Sequence, residues 1–290
     1  MGEQAKFSDY LELTKPRLSL LSVLTALVGY LVERPSAGVE GLLWILLGTS
    51  LAAGGVAALN QWLEHETDAQ MKRTADRPIP AGRVATGSAF VLGSLMCVAS
   101  LMVIFAKVNG LAALFALLTM IAYLGWYTPA KRTSRWSTEI GALAGALPPL
   151  IGNAAAGDRI SPMGWVLFGV LFFWQIPHFM AVAWTHRRDY ATVRFPMLPV
   201  RDKSGAWVAR WALVACLLLV LISLLPFALG MASRWYAGAA ALLGAWMLWQ
   251  AVAFLWTKGR DTAARQLFLA SIGYLPLALG ALVLDRAINF

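Results

Sequence analysis

Charge is scarce in this 290-residue chain: Asp, Glu, Lys and Arg make up 13% of it, against about 25% in an ordinary soluble domain. With 59% hydrophobic residues and a mean hydropathy of +0.64, that shortage excludes a water-soluble globule. Cysteine is almost absent. Cys97 and Cys216 both lie deep in apolar runs, which excludes a disulfide scaffold or a Cys-rich metal centre and assigns both to packing. No C-x-x-C-H, P-loop or dinucleotide fingerprint occurs, so neither covalent haem attachment nor nucleotide binding is indicated. The opening stretch MGEQAKFSDYLELTKPR carries three acids and no apolar core before Leu18. That argues against a cleavable secretion signal and an Arg-rich transit peptide, so the mature chain is expected to begin near Met1. Short internal repeats and flexible linkers are missing too, which predicts a single domain over 1–290.

What the sequence does have is apolar length. Runs close to the roughly 20 residues that cross a bilayer recur from Leu18 to Leu284. Reading them between charged or Pro/Gly-containing breaks predicts an all-α polytopic membrane bundle of nine helices, at 18–32, 41–63, 86–106, 108–128, 139–156, 163–185, 205–230, 235–257 and 266–284. The net charge of +9 suits nucleic acid in isolation, but the basic residues sit in short connections between the runs, where membrane orientation explains them. Alternating those connections puts 18 of the 24 basic residues on one side; Arg34, Lys107, Arg159, Arg234 and Arg286 fall on the other, and Arg210 lies inside the seventh helix. Basic loops stay cytoplasmic, which predicts the N-terminus inside and the C-terminus outside.

The most informative stretch runs from Asn60 to Pro78, where the second helix enters a cytoplasmic connection. Asn60, Glu64 and Asp68 stand at i, i+4 and i+8, so on one helix their oxygens share a face and can converge on a hard cation. Glu66 points elsewhere. Oxygen ligands that leave room for water and phosphate suit Mg²⁺, and Arg73 and Arg77 would complete a diphosphate clamp. The same residues also fit a solvated helix end whose acids and bases offset one another. Four of only 15 acidic residues fall between Glu64 and Asp76, which tilts the balance toward a site.

These residues resemble the first acidic motif of the UbiA-type intramembrane prenyltransferases, an Asn followed by acids at +4 and +8, with Glu64 in place of the commoner Asp. Further similar segments are Leu13-Thr14-Lys15-Pro16-Arg17, Tyr127-Thr128-Pro129-Ala130-Lys131-Arg132, Gly145 to Gly152, Trp174-Gln175-Ile176-Pro177-His178-Phe179, Asp189-Tyr190 and Pro196 to Val200. Their order and spacing resemble the haem-directed branch, the protohaem IX farnesyltransferases or haem O synthases, more than the quinone-precursor branch. The resemblance implies transfer of a farnesyl group from farnesyl diphosphate to a vinyl group of protohaem IX, with haem B as substrate and Mg²⁺ as cofactor. It also implies a bacterial plasma membrane and a downstream haem-modifying enzyme or terminal oxidase assembly as partner. Prenylation of an aromatic quinone precursor and haem transport remain the competing readings.

Within that resemblance Lys131 grips diphosphate and Tyr127, four positions earlier, stabilises a cation; each also reads as a membrane-interface anchor. Arg132 is a phosphate contact or simply faces lipid headgroups. Asp189 is the second metal-binding acid but has Thr185 and Val193 four positions away, without a paired carboxylate; a surface ion pair with Arg187 or Arg188 is the alternative. Tyr190 is expected beside the substrate. His178, alone among His65, His178 and His186 in lying within an apolar segment, is either a haem-iron ligand or a polar residue packed against another helix.

Overall fold

The computed structural model describes residues 5–33, 38–256 and 258–290, and Met1 and Arg34 lie outside them. Among the described residues every regular element is helical. In chain order they are α1 (Phe7–Leu13), α2 (Pro16–Leu31), α3 (Gly38–Asp68), α4 (Thr86–Lys107), α5 (Gly110–Met120), a π-helical segment (Ile121–Tyr127), α6 (Thr128–Thr133), α7 (Ser137–Ala146), α8 (Pro148–Gly157), α9 (Pro162–Thr185), α10 (Arg187–Thr192), α11 (Leu198–Arg201), α12 (Ala206–Ala228), α13 (Arg234–Leu255) and α14 (Arg260–Asn289).

Eight stretches are long and apolar enough to cross a membrane: α3, α4, α5 through α6, α7 with α8, α9, α12, α13 and α14. The chain is an integral membrane protein. The first predicted helix is the exception, because α2 has 16 residues and extends about 24 Å at 1.5 Å per residue, short of the roughly 30 Å hydrocarbon layer. It compensates by close packing. A Cβ at Gly152 of α8 would lie 1.7 Å from the Ala26 carbonyl oxygen of α2, so the two backbones touch in the way small residues permit in lipid.

Four of the expected helices change: the one expected at 41–63 runs from Gly38 to Asp68, because its polar final turns stay helical beyond the apolar run. The helix expected at 139–156 breaks at Leu147, where Pro148 and Pro149 remove two backbone donors and start α8. The last helix runs from Arg260 to Asn289 rather than 266–284, since its charged end turns continue beyond the apolar stretch. The helix expected at 108–128 passes through the π-segment instead of ending as regular α.

In their most apolar stretches, α7 with α8 and α9 are 67% buried, against 28–44% for the other spans, so they form the centre. On either side lie α2–α6 and α12–α14, the latter packed with α9 in the largest apolar cluster. The end of α3, the start of α2 and the start of α14 meet at one end of the bundle. Lys15 reaches Asn60, Arg73 reaches Tyr190, and Trp184 at the end of α9 donates to Asp261 at 2.7 Å. At the opposite end Arg286 donates to the Val32 carbonyl at 3.0 Å.

Candidate active site

At 31 residues α3 extends about 46 Å, longer than the hydrocarbon layer, and its final turns carry the acids. Asn60, Glu64 and Asp68 are 1%, 5% and 1% exposed, on one continuous helix as their spacing predicts. Buried charge in an apolar body requires partners, and each of the three meets a cation from a different segment. Lys15 Nζ donates to Asn60 Oδ1 at 3.0 Å, Lys131 Nζ donates to both Glu64 oxygens at 2.8 and 3.1 Å, and Arg77 pairs with Asp68. Asn60 Nδ2 also donates to Thr128 Oγ1 at 3.2 Å, tying α3 to the end of the π-segment. The chain turns after α3 because Thr74 Oγ1 donates to the Asp68 carbonyl at 2.8 Å.

Lys15 adopts φ 47° and ψ 59°, a left-handed conformation that costs an L-residue about 1–2 kcal/mol. That backbone turns its ammonium inward. Burial there pushes its pKa down to about 7, helped by the positive charges of Arg77 and Lys131 and opposed by Glu64 and Asp68. All five groups therefore share one field. In the sequence Lys15 reads as an orientation charge and a motif residue; its Lys-Pro pair ahead of an apolar helix was the available signal.

The π-segment supplies two phenols. Tyr123 and Tyr127 meet edge to face at 5.1 Å, and Lys131 Nζ stands 4.5 Å from the Tyr127 ring centroid. The expected pairing of Tyr127 with Lys131 is present. It depends on Gly141 of α7, where a Cβ would come within 2.7 Å of the Tyr127 ring. Tyr123 was not singled out by spacing, because π-helical register is not visible in composition.

Below the polar cluster lies a cavity of about 150 Å³ whose lining includes Lys15, Ser19, Ala52, Val56, Met120 and Tyr123. Thr49 also lines it; eleven residues before Asn60, it marks a depth of about 16 Å. The cavity is lined largely by apolar and small residues, with Lys15 its one cation among the described residues.

Other expected residues lie further out. Arg73 is exposed and donates to Tyr190 Oη at 3.4 Å, with its guanidinium 5.8 Å from that ring's centroid, which brings the connection after α3 beside α10. Asp189 forms no ion pair with Arg187; that arginine pairs with Asp261 at 3.2 Å. Arg132 is exposed and donates to the Leu63 carbonyl at 3.0 Å, not to the acids. His178 is in α9, with Nδ1 2.8 Å from Ser271 Oγ of α14. Among the described residues no three His, Cys, Asp or Glu side chains gather closely enough to hold a metal. The donor set that does share a face, Asn60, Glu64 and Asp68, is all oxygen and fits Mg²⁺ in chemistry. Above it the chain is folded back by Arg83, which pairs with Asp9 and with Glu12, the latter at 2.9 Å, and so ties α1 to the connection carrying Arg73 and Arg77.

Comparison with known proteins matches residues 22–272 to the UbiA prenyltransferase family. A relative from Opitutus terrae named protoheme IX farnesyltransferase is 68% identical over 285 residues, covering 98% of this chain and 97% of that protein. Among solved structures, one described as digeranylgeranylglyceryl phosphate synthase superposes with TM-score 0.82 at 16% identity, covering 96% of this chain and 98% of the other. A UbiA homolog from Archaeoglobus fulgidus, solved bound to GPP and Mg²⁺, gives 0.68 at 14% identity, with 94% and 99% covered. At those identities the structures speak for the fold alone.

Proposed function

The chain belongs to the UbiA prenyltransferase family, and from that premise we propose that it joins the farnesyl group of farnesyl diphosphate to a vinyl group of protohaem IX, giving haem O and diphosphate. The observation that carries this reading is the buried Asn60–Glu64–Asp68 face, met by three cations, one of which, Lys15, also lines an apolar cavity. A diphosphate head fits the first and an isoprenoid tail the second. The acceptor assignment is supported by the 68%-identical relative's name.

In the proposed mechanism Lys15, Lys131, Arg73 and Arg77 take up negative charge as the allylic C–O bond breaks and its electron pair leaves with diphosphate. Mg²⁺, held by Asn60, Glu64 and Asp68 with Asp189, would neutralise further charge on that leaving group. The Tyr127 ring faces the allylic cation, as it now faces Lys131. The vinyl π-electrons form the new C–C bond, and water adds to the resulting haem-side cation with loss of a proton. Apolar cavity walls keep water from the farnesyl cation beforehand. His178 and Tyr190 are assigned to acceptor and substrate binding. Arg132, turned to Leu63, is assigned no step.

The topology that goes with this reading has α2 as a ninth crossing, the N-terminus and site at the cytoplasmic face of a bacterial plasma membrane, and one domain over 1–290. Product would pass to a haem-modifying enzyme or terminal oxidase assembly. The test supplies purified protein with farnesyl diphosphate, Mg²⁺ and either haem B or 4-hydroxybenzoate. Haem O is the expected product; prenylated benzoate alone overturns the reading.

A further inference from the structure

The interface of α9 and α14 contains one neutral hydrogen-bond relay that the diphosphate chemistry does not use. Ser271 Oγ lies 2.6 Å from the Phe268 carbonyl oxygen and 2.8 Å from His178 Nδ1. A carbonyl only accepts, so the single Ser271 hydroxyl proton is committed to Phe268. The Ser271 oxygen must then accept from His178, which places the imidazole proton on Nδ1. Neutral imidazole carries one proton, so Nε2 holds a free electron pair. No described residue hydrogen-bonds to Nε2, and His178 is only part-buried.

The ring is also packed between aromatic neighbours. It stacks on Trp174 at 5.0 Å and 27°, and Phe268 approaches it at 5.0 Å and 42°. Trp174, one helical turn before His178, donates Nε1–H to the Ser271 carbonyl at 2.7 Å. One residue of α14 therefore holds two successive turns of α9, one through its backbone and one through its hydroxyl. A histidine filling space between helices has no need of a fixed tautomer with a bare lone pair directed away from its only partner. A metal-ligating histidine does, since the partner on the far nitrogen sets orientation and raises basicity.

We propose that Ser271 is a positioning residue for the acceptor: by accepting from His178 Nδ1 it leaves Nε2 free to ligate the iron of a haem-type substrate. This rests on the acceptor reading above and adds to it a residue 93 positions from the histidine it orients.

The test loads the full-length protein with ferrous haem B, without farnesyl diphosphate, and reads the iron–imidazole stretching band by resonance Raman together with haem affinity. The band is expected in the unaltered protein and absent in His178→Ala. In Ser271→Ala it is expected to persist at lower frequency, with haem bound about tenfold more weakly, and Ser271→Thr should restore both. The Trp174 bond uses the Ser271 backbone and survives these substitutions. A Ser271→Ala protein with unchanged band and affinity overturns the proposal, as does an unchanged band in His178→Ala. Haem O formation, assayed separately, reads the proposed function: product with an unchanged Ser271→Ala spectrum sinks this inference alone, and an intact His178 band with prenylated benzoate as sole product sinks the function alone.

Discussion

Around the end of α3 the polar groups are charged and matched in opposite pairs: Glu64 with Lys131, Asp68 with Arg77. In the middle of the α9–α14 interface, around Ser271, they are neutral, with imidazole, indole and hydroxyl groups joined by single hydrogen bonds at 2.6–2.8 Å. Both regions solve the problem of burying polarity in an apolar body, and the difference shows what each can receive. Paired charges can be traded for an anion and its metal with little change in net burial cost. A neutral donor relay suits an uncharged or metal-centred ligand, and would be disrupted by diphosphate.

The sharpest way to break this contrast is Asp68→Ala. It removes a buried carboxylate and leaves Arg77 without its partner, and prenyl transfer should fall by about 10³-fold while membrane insertion persists. Near-normal Mg²⁺-dependent product formation would show that the acidic face is structural. Next in size is Tyr127→Leu. Losing a ring that faces a cation costs about 1–2 kcal/mol, so turnover should drop about tenfold, whereas Tyr127→Phe should stay within about twofold; equal losses in both variants would assign the role to the phenol oxygen. The smallest effect tests an acid satisfied by backbone instead of a cation. Asp202 accepts from the N–H groups of Gly205, Trp207 and Val208. Burial pushes its pKa up, but bonds from Ser204 and those N–H groups outweigh it and hold the carboxyl below the ordinary value. Its contribution to stability is therefore complete above the ordinary carboxylate pKa near 3.8 and is lost as pH falls through the depressed value. Asp202→Ala should cost about 1 kcal/mol near neutral pH in thermal melts, and less in acid, with activity unaffected.

Much of this was readable in the sequence. The apolar runs and their breaks marked the helices, because hydrocarbon thickness fixes the length that a crossing needs. Asn60, Glu64 and Asp68 were found because helical spacing alone aligns them. What escaped depends on long-range or backbone geometry. The π-segment is an extra residue per turn with no compositional signature, so Tyr123 went unnoticed. Lys15 looks like any interfacial lysine until its left-handed backbone turns it toward Asn60. Asp189 carries no spacing partner, and the contact that brings its helix to the connection after α3, Arg73 with Tyr190, joins residues 117 positions apart. In the sequence Arg132 reads as a phosphate contact or a headgroup anchor, but adjacent helical positions diverge by about 100°, and it reaches the Leu63 carbonyl.

The clasp that Arg83 makes with Asp9 and Glu12 has a practical side. It makes α1 a stiff handle on the segment bearing Arg77, so a bulky fusion or surface linkage just ahead of Phe7 would load that segment directly. Labels and immobilisation chemistry belong instead after Phe290, next to Asn289 and Asp285 at the far end of α14, where strain has no short mechanical route to the acids.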